Sequence, residues 1–240
     1  DSIPSINPVE YKLLNQDIFD YDTTTKKVII QHSTTRSMPN IPGVLVLEGN
    51  KRYGKHKNKF LYKCVPDDRR LPIFMIPYQI RLGFNKKQYN KYVVFKYNHW
   101  NSKHPQGMIV QVLGDVTNLS NFYEYQLYCK SLYASIQNFN KVTMRALKTK
   151  SENEFIDQIQ QTYNVEDRRG WDVISIDPKT SKDFDDAFGI KEEEDNKFTL
   201  SIYIANVSFW MDALNLWSSF SQRIATIYLP DRKRPMLPTI

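Results

Sequence analysis

The sequence predicts a mainly β protein with an α+β C-terminal part, and three observations predict it. Short apolar and aromatic runs separated by turn signals fill residues 26–120. A helical period replaces them over about residues 120–163, and strand-like runs then return on either side of an aspartate cluster. The expected order is an N-terminal extension (1–25), a first small five-stranded barrel of the OB or cold-shock kind (26–85), a second such barrel (86–120), a mainly helical connector (121–171) and the opening of a further α+β unit (172–240).

In the first barrel, KKVIIQ (26–31), GVLVLEGN (43–50), KNKFLYKCV (57–65) and LPIFMIPYQI (71–80) read as strands, with NIPG, NKRYG and VPDDRR as the turns. NKRYGKHKNK, five Lys/Arg in ten residues, reads as a hairpin tip. KYVVFKYNHW (91–100) and HPQGMIVQVLG (104–114) supply the second barrel. In the connector, Phe122, Leu127, Tyr128, Leu132 and Ile136 recur at helical intervals, and ENEFIDQIQQTY resumes the pattern. WDVISID and FTLSIYIANVSF (198–209) read as strands, and 212–227 as helix.

Charge narrows the function. The net charge is +7, but residues 26–105 hold 17 Lys/Arg against 3 Asp/Glu, a local +14, while residues 1–25 carry −4 and residues 106–240 carry −3. So one-sided a segment resists its own compaction and suits a polyanion, the plainer alternative being a solubilising face. Tyr53, Phe60, Tyr62, Phe74, Tyr92, Phe95, Tyr97 and Trp100 lie among these cations, and stacking rings beside phosphate-tracking cations are what single-stranded nucleic acid binding uses. Taken singly, each ring is more simply a core residue. The tip cations Lys51, Arg52, Lys55, Lys57 and Lys59, with Trp100, are the candidate RNA contacts.

No apolar run reaches the roughly 18 residues of a membrane span. The opening DSIPSINPVEYKLL lacks the basic start and apolar stretch of a signal peptide, and Cys64 and Cys129 are far apart in no metal-ligand spacing. A reduced, intracellular compartment without membrane attachment is expected.

The stretch IDPKTSKDFDDAFGI (176–190) gathers Asp177, Asp183, Asp185 and Asp186 within ten positions. An acidic surface turn is the plain reading. An EF-hand fails on spacing, because Ala187 and Phe188 stand where a ligand and the Gly belong. An aspartyl-nucleophile phosphatase loop fails because DPKTSK separates the strand from the acid pair. Carboxylates arriving from one strand end and one loop suit Mg²⁺ or Mn²⁺, and beside a basic, aromatic-rich module the natural substrate is a phosphodiester.

IDPKTSKDFDDA closely resembles the signature of the ribonuclease II and ribonuclease R (RNB) exoribonucleases, which include the processive subunit of the eukaryotic exosome. YIANVSFW and RIATIYLPDRKRPMLP are similar to the family's following segments, and RLPIFMIPY and HPQGMIVQVLG to its two cold-shock-like barrels. The resemblance covers most of the chain from about residue 40. It implies a Mg²⁺-dependent 3′-to-5′ exoribonuclease degrading single-stranded RNA to nucleoside 5′-monophosphates, cytoplasmic or nuclear, alone or in an exosome-like RNA-decay complex. It assigns Asp177, Asp183 and Asp186 to the metal, Asp185 to the attacking water, and Tyr228 and Arg223 to RNA; core packing and an ion pair are their plain alternatives.

Two departures qualify these implications. Where the family reads H-I-A-D-V, this chain has Tyr203 and Asn206. The family's catalytic domain also runs well beyond a segment like PMLPTI, so the chain is expected to be the N-terminal piece of a larger enzyme whose further part grips the scissile phosphate. The runner-up is a non-catalytic RNA-binding protein. A cold-shock-type RNA chaperone would leave the aspartate motif without a purpose.

Overall fold

The computed structural model describes residues 6–80, 87–179, 181 and 184–239. The chain forms two compact units, residues 1–133 with 229–232, and residues 134–228 with 233–240.

The first unit opens with a hairpin of β1 (Asp17–Asp22) and β2 (Lys27–Ser33). Its turn is set by Asp22, whose carboxylate accepts from the Thr24 and Thr25 amides and, at 2.6 Å, from the Thr25 hydroxyl. These bonds hold the Asp22 carboxyl below its usual range. The short helix α1 (Thr34–Ser37) follows, its Arg36 amide capped by the Ser33 hydroxyl. The Arg36 guanidinium reaches the Tyr97 hydroxyl at 2.7 Å, the Lys12 carbonyl at 2.7 Å and the buried Asp17 carboxylate at 3.5 Å.

The barrel consists of β3 (Ile41–Leu45), β4 (Lys55–His56), β5 (Lys59–Pro66), β6 (Phe74–Tyr78), β7 (Lys91–His99) and β8 (Gln106–Asp115). The order is β3-β7-β8-β6-β5-β4, and β3 also pairs with β5, so five strands close on themselves. Closure removes the open edges a flat sheet of this size would leave. Inward side chains make the core, with Leu45, Cys64, Phe74, Ile76, Val93 and Phe95 fully buried. Helix α2 (Leu119–Cys129), capped at Asn118, lays Tyr125 flat on Tyr92 of β7, ring centroids 4.4 Å apart.

The expected mainly β architecture with a small barrel is present, but the two expected barrels are one. GVLVL pairs with KYVVFKYNH, 46 or more residues later by register (Leu45 with Lys91), so the strands assigned to residues 86–120 complete the barrel begun before residue 80. KKVIIQ is not a barrel strand; it pairs with residues 17–22, inside the stretch read as an extension.

The second unit holds α3 (Gln137–Ala146), α4 (Glu152–Tyr163) and α5 (Val207–Ala213). Phe139, Met211 and Leu216 form its core. Helix α4 starts at a capping box in which Ser151 and Glu154 satisfy each other's backbone amides. A three-stranded antiparallel sheet has the order β11-β10-β9, from β9 (Val173–Ile174), β10 (Asp186–Glu192) and β11 (Phe198–Ile204). A hairpin of β12 (Ile227–Tyr228) and β13 (Lys233–Arg234) follows. Helical structure over 120–163 matches expectation, whereas the helix expected over 212–227 stops at Ala213. The strand expected over 198–209 stops at Ile204, because Asn206 caps α5. No helix among the described residues is long and apolar enough to cross a membrane.

Candidate functional site

Strand pairing places the acid pair. Asp186 opens β10 in register with Ile204, and the Asp185 carbonyl accepts from the Ala205 amide at 2.7 Å. Both aspartates are thereby pinned at one end of the sheet with their side chains exposed. They line an open cleft of about 340 Å³ with Val173, Ser175, Phe184 and Tyr203. Asp177 follows β9 and is half-buried; its Oδ2 is enclosed and has no hydrogen-bond partner among the described residues. An enclosed carboxylate oxygen left unpaired is costly and calls for a cation or a proton donor. Asp183 lies outside the described residues. Among those described, no three acidic, histidine or cysteine side chains converge as a metal needs. The donor set fits a hard divalent ion in kind, oxygen throughout, with Asp185 and Asp186 adjacent and Asp177 presenting the orphaned oxygen.

The two departures have structural uses. Asn206 accepts from the Phe209 amide at 3.4 Å and so caps α5, a position that Asn and Asp fill about equally well. Tyr203 lies on β11 beside Arg168, whose guanidinium holds the phenol below its usual range.

In the other unit, the basic tip is the β4–β5 hairpin. His56 pairs with Lys59 across Lys57 and Asn58, and Lys57 takes a positive φ of 54° to make the turn. Lys51, Arg52, Lys55, Lys57 and Lys59 are all exposed, and none takes part in an ion pair of the described residues. Arg52 and Lys55 lie over the Phe60 ring at 4.1 and 5.0 Å, and Lys51 lies over Tyr53 at 5.4 Å. Cations held against rings leave a cationic, partly aromatic surface.

Two of the expected RNA contacts are placed otherwise. Trp100 is 5% exposed within the barrel core, so it has no face to offer a base. Arg223 takes part in no ion pair among the described residues. Its guanidinium donates to the Pro235 carbonyl at 2.8 Å and the Ala134 carbonyl at 2.6 Å, and burial lowers its pKa. Tyr228, in contrast, is 75% exposed on β12.

Residues 165–240 match the RNB domain, and residues 61–124 match the Dis3-like cold-shock domain 2. The RNB segment therefore contains Asp177, Asp185, Asp186 and Tyr228, and the cold-shock match falls on strands β5–β8 and α2 of the single barrel. The chain is similar to DIS3-like exonuclease 2 of Schizosaccharomyces pombe, 22% identical over 237 residues, or 92% of this chain and 25% of that protein. It is 43% identical to ribonuclease R of Ureaplasma parvum over 68 residues, 28% of this chain and 9% of that protein. In fold it is similar to Mycoplasma genitalium RNase R solved with ribose-methylated single-stranded RNA. That match has a TM-score of 0.61 and 19% identity, and covers 88% of this chain and 31% of that one. The chain thus spans about a quarter of the length of its S. pombe relative.

Within the RNB segment the sequence reading passed over Phe184. Its ring is 60% exposed in the cleft of Asp185 and Asp186. The signal was there, since a lone aromatic among four aspartates has no core partner in its own loop.

Proposed function

We propose that the intact protein carrying this chain is a 3′-to-5′ exoribonuclease that hydrolyses single-stranded RNA processively to nucleoside 5′-monophosphates with Mg²⁺. The observation that carries the reading is that the RNB match falls on the segment placing Asp185 and Asp186 side by side in an open cleft. In the site, Asp177, Asp183 and Asp186 would hold the divalent ion. When bound, that ion supplies positive charge against the phosphoryl oxygens of the scissile link. Asp185, on the same cleft, accepts a hydrogen bond from the attacking water and orients it. Tyr228 offers an exposed face to a base at the RNA 3′ end, and the tip cations follow the phosphates without reading bases. Cys64 and Cys129 are both unpaired, in keeping with an intracellular working place, alone or within an RNA-decay assembly.

The test is Asp185→Asn in the intact protein, with single-turnover hydrolysis and RNA binding measured separately. Hydrolysis falls by several orders of magnitude while the dissociation constant stays within about threefold, because the barrel surface is untouched. Wild-type turnover in that variant removes Asp185 from the mechanism. The alternative reading is a non-catalytic RNA-binding protein. RNA binding by the intact protein, with no hydrolysis at any Mg²⁺ or Mn²⁺ concentration, would select it.

A further inference from the structure

The first unit has a pocket of its own, of about 200 Å³, and none of the tip cations lines it. Its walls come from residues 15–16, residues 34–42, the turn of residues 67–71 after β5, and the C-terminal end of α2 with Ser131. Drug-sized ligands occupy roughly 300–1,000 Å³, so this space admits a group about the size of one side chain. The lining mixes apolar Met38, Ile41, Pro42 and Leu71 with the polar side chains of Thr34, Thr35 and Asn40.

Its charge is set by the turn after β5, which the chain holds in place. The Asp67 amide donates to the Pro42 carbonyl at 3.0 Å, and the Asp68 carboxylate accepts from the Arg70 amide at 3.0 Å. Arg70 also closes a fork on Asp68, its Nε and Nη2 each 2.9 Å from a carboxylate oxygen. Asp68 is thereby neutralised. Asp67 is not, for it takes part in no ion pair among the described residues.

The neighbours of Asp67 do not relieve it. Its Oδ1 accepts from the hydroxyl of buried Tyr125 at 3.2 Å, and the Cys129 thiol lies beside it. Burial above all pushes the Cys129 thiol up to about 12 and raises the Tyr125 phenol as well, so both stay uncharged at neutral pH. The lining therefore sets two carboxylates against one guanidinium, a balance of −1. Helix α2 ends at Cys129, and the negative end of its dipole adds to that charge.

We propose that this pocket binds a primary ammonium on a short unbranched alkyl stem, with the ammonium at Asp67 and the stem against Met38, Ile41, Pro42 and Leu71. The sign of the lining turns away a phosphate. With Oδ1 already engaged by Tyr125, a compact ammonium needs only the second oxygen, whereas a guanidinium fork calls for both. Free diamines and the lysine side chains of other polypeptides carry this same group.

The probes are n-butylammonium and its uncharged isostere 1-butanol. Each is titrated into the intact protein, free of nucleic acid and in excess Mg²⁺, with binding read by saturation-transfer NMR. The ammonium binds about fivefold tighter than the alcohol, the upper worth of an exposed ion pair. Asp67→Asn, which keeps an acceptor for Tyr125, removes that preference. Thr34→Phe, at an exposed position of the lining, fills the space and weakens both compounds. Both positions are exposed, so the fold survives, which far-UV circular dichroism checks. Putrescine and Nα-acetyl-lysine methylamide then separate the two sources, the tighter binder naming a free diamine or a polypeptide's lysine. Equal binding of ammonium and alcohol, a preference that survives Asp67→Asn, or binding untouched by Thr34→Phe overturns the proposal. So does butyltrimethylammonium binding as tightly as n-butylammonium, which would show attraction to charge without a pocket.

Discussion

Gly107 leaves no room for a methyl group. A Cβ there would lie 2.7 Å from the Phe95 ring, and one at Gly43 would lie 3.0 Å from the same ring, so both glycines make space for a fully buried Phe95. Gly107→Ala is expected to destabilise the first unit by about 1–3 kcal/mol, the usual cost of overpacking, read as a lower urea midpoint. In the second unit, Asn206→Ala removes the cap of α5 and costs about 1 kcal/mol, whereas Asn206→Asp is near neutral in the same denaturation measurement. Sequence alone presented Asn206 as a lost carboxylate, because a cap becomes visible only once the helix start is known. Trp100 was misread for a related reason. Alternation along KYVVFKYNHW shows that two faces exist but not which of them turns inward.

Among the elements, the β4–β5 hairpin was the most legible, since five cations in ten residues around a Lys-Asn turn leave little but a solvated tip. If its cations meet phosphates, replacing Lys51, Arg52, Lys55, Lys57 and Lys59 by Gln flattens the dependence of log affinity on log salt. The slope falls by about 0.7 for each single-strand phosphate that is no longer neutralised. An unchanged slope places the RNA path elsewhere. The helices were legible too, through the 3.6-residue period and the Ser151–Glu154 box. The number of barrels was not. Strand runs announce themselves locally, but β3 pairs with β7 across more than forty residues and with β5 as well, and partner choice leaves no local mark. The β1–β2 hairpin illustrates the same limit, since KKVIIQ is a strand wherever its partner lies.

Across the whole molecule, the aspartate motif carried the functional reading further than composition did. It singled out the segment that the RNB match covers, although only Asp185 and Asp186 of the four are brought to one cleft among the described residues. The barrel closes on its own strands, so the 240-residue chain is expected to bind single-stranded RNA by itself. It is expected not to shorten that RNA processively, because hydrolysis needs cations held against the transferring phosphate as well as acids. Electrophoresis of the isolated chain with RNA, in molar excess and with Mg²⁺, checks both points. The exoribonuclease assignment itself is tested most directly in the intact protein, with one RNA labelled at the 5′ end and the same RNA labelled at the 3′ end. Predicted is a 5′-labelled ladder that shortens stepwise while the 3′ label leaves at once as mononucleotide, with both changes abolished by EDTA and by Asp185→Asn. Internal cleavage, loss from the 5′ end, or shortening that survives Asp185→Asn would contradict it.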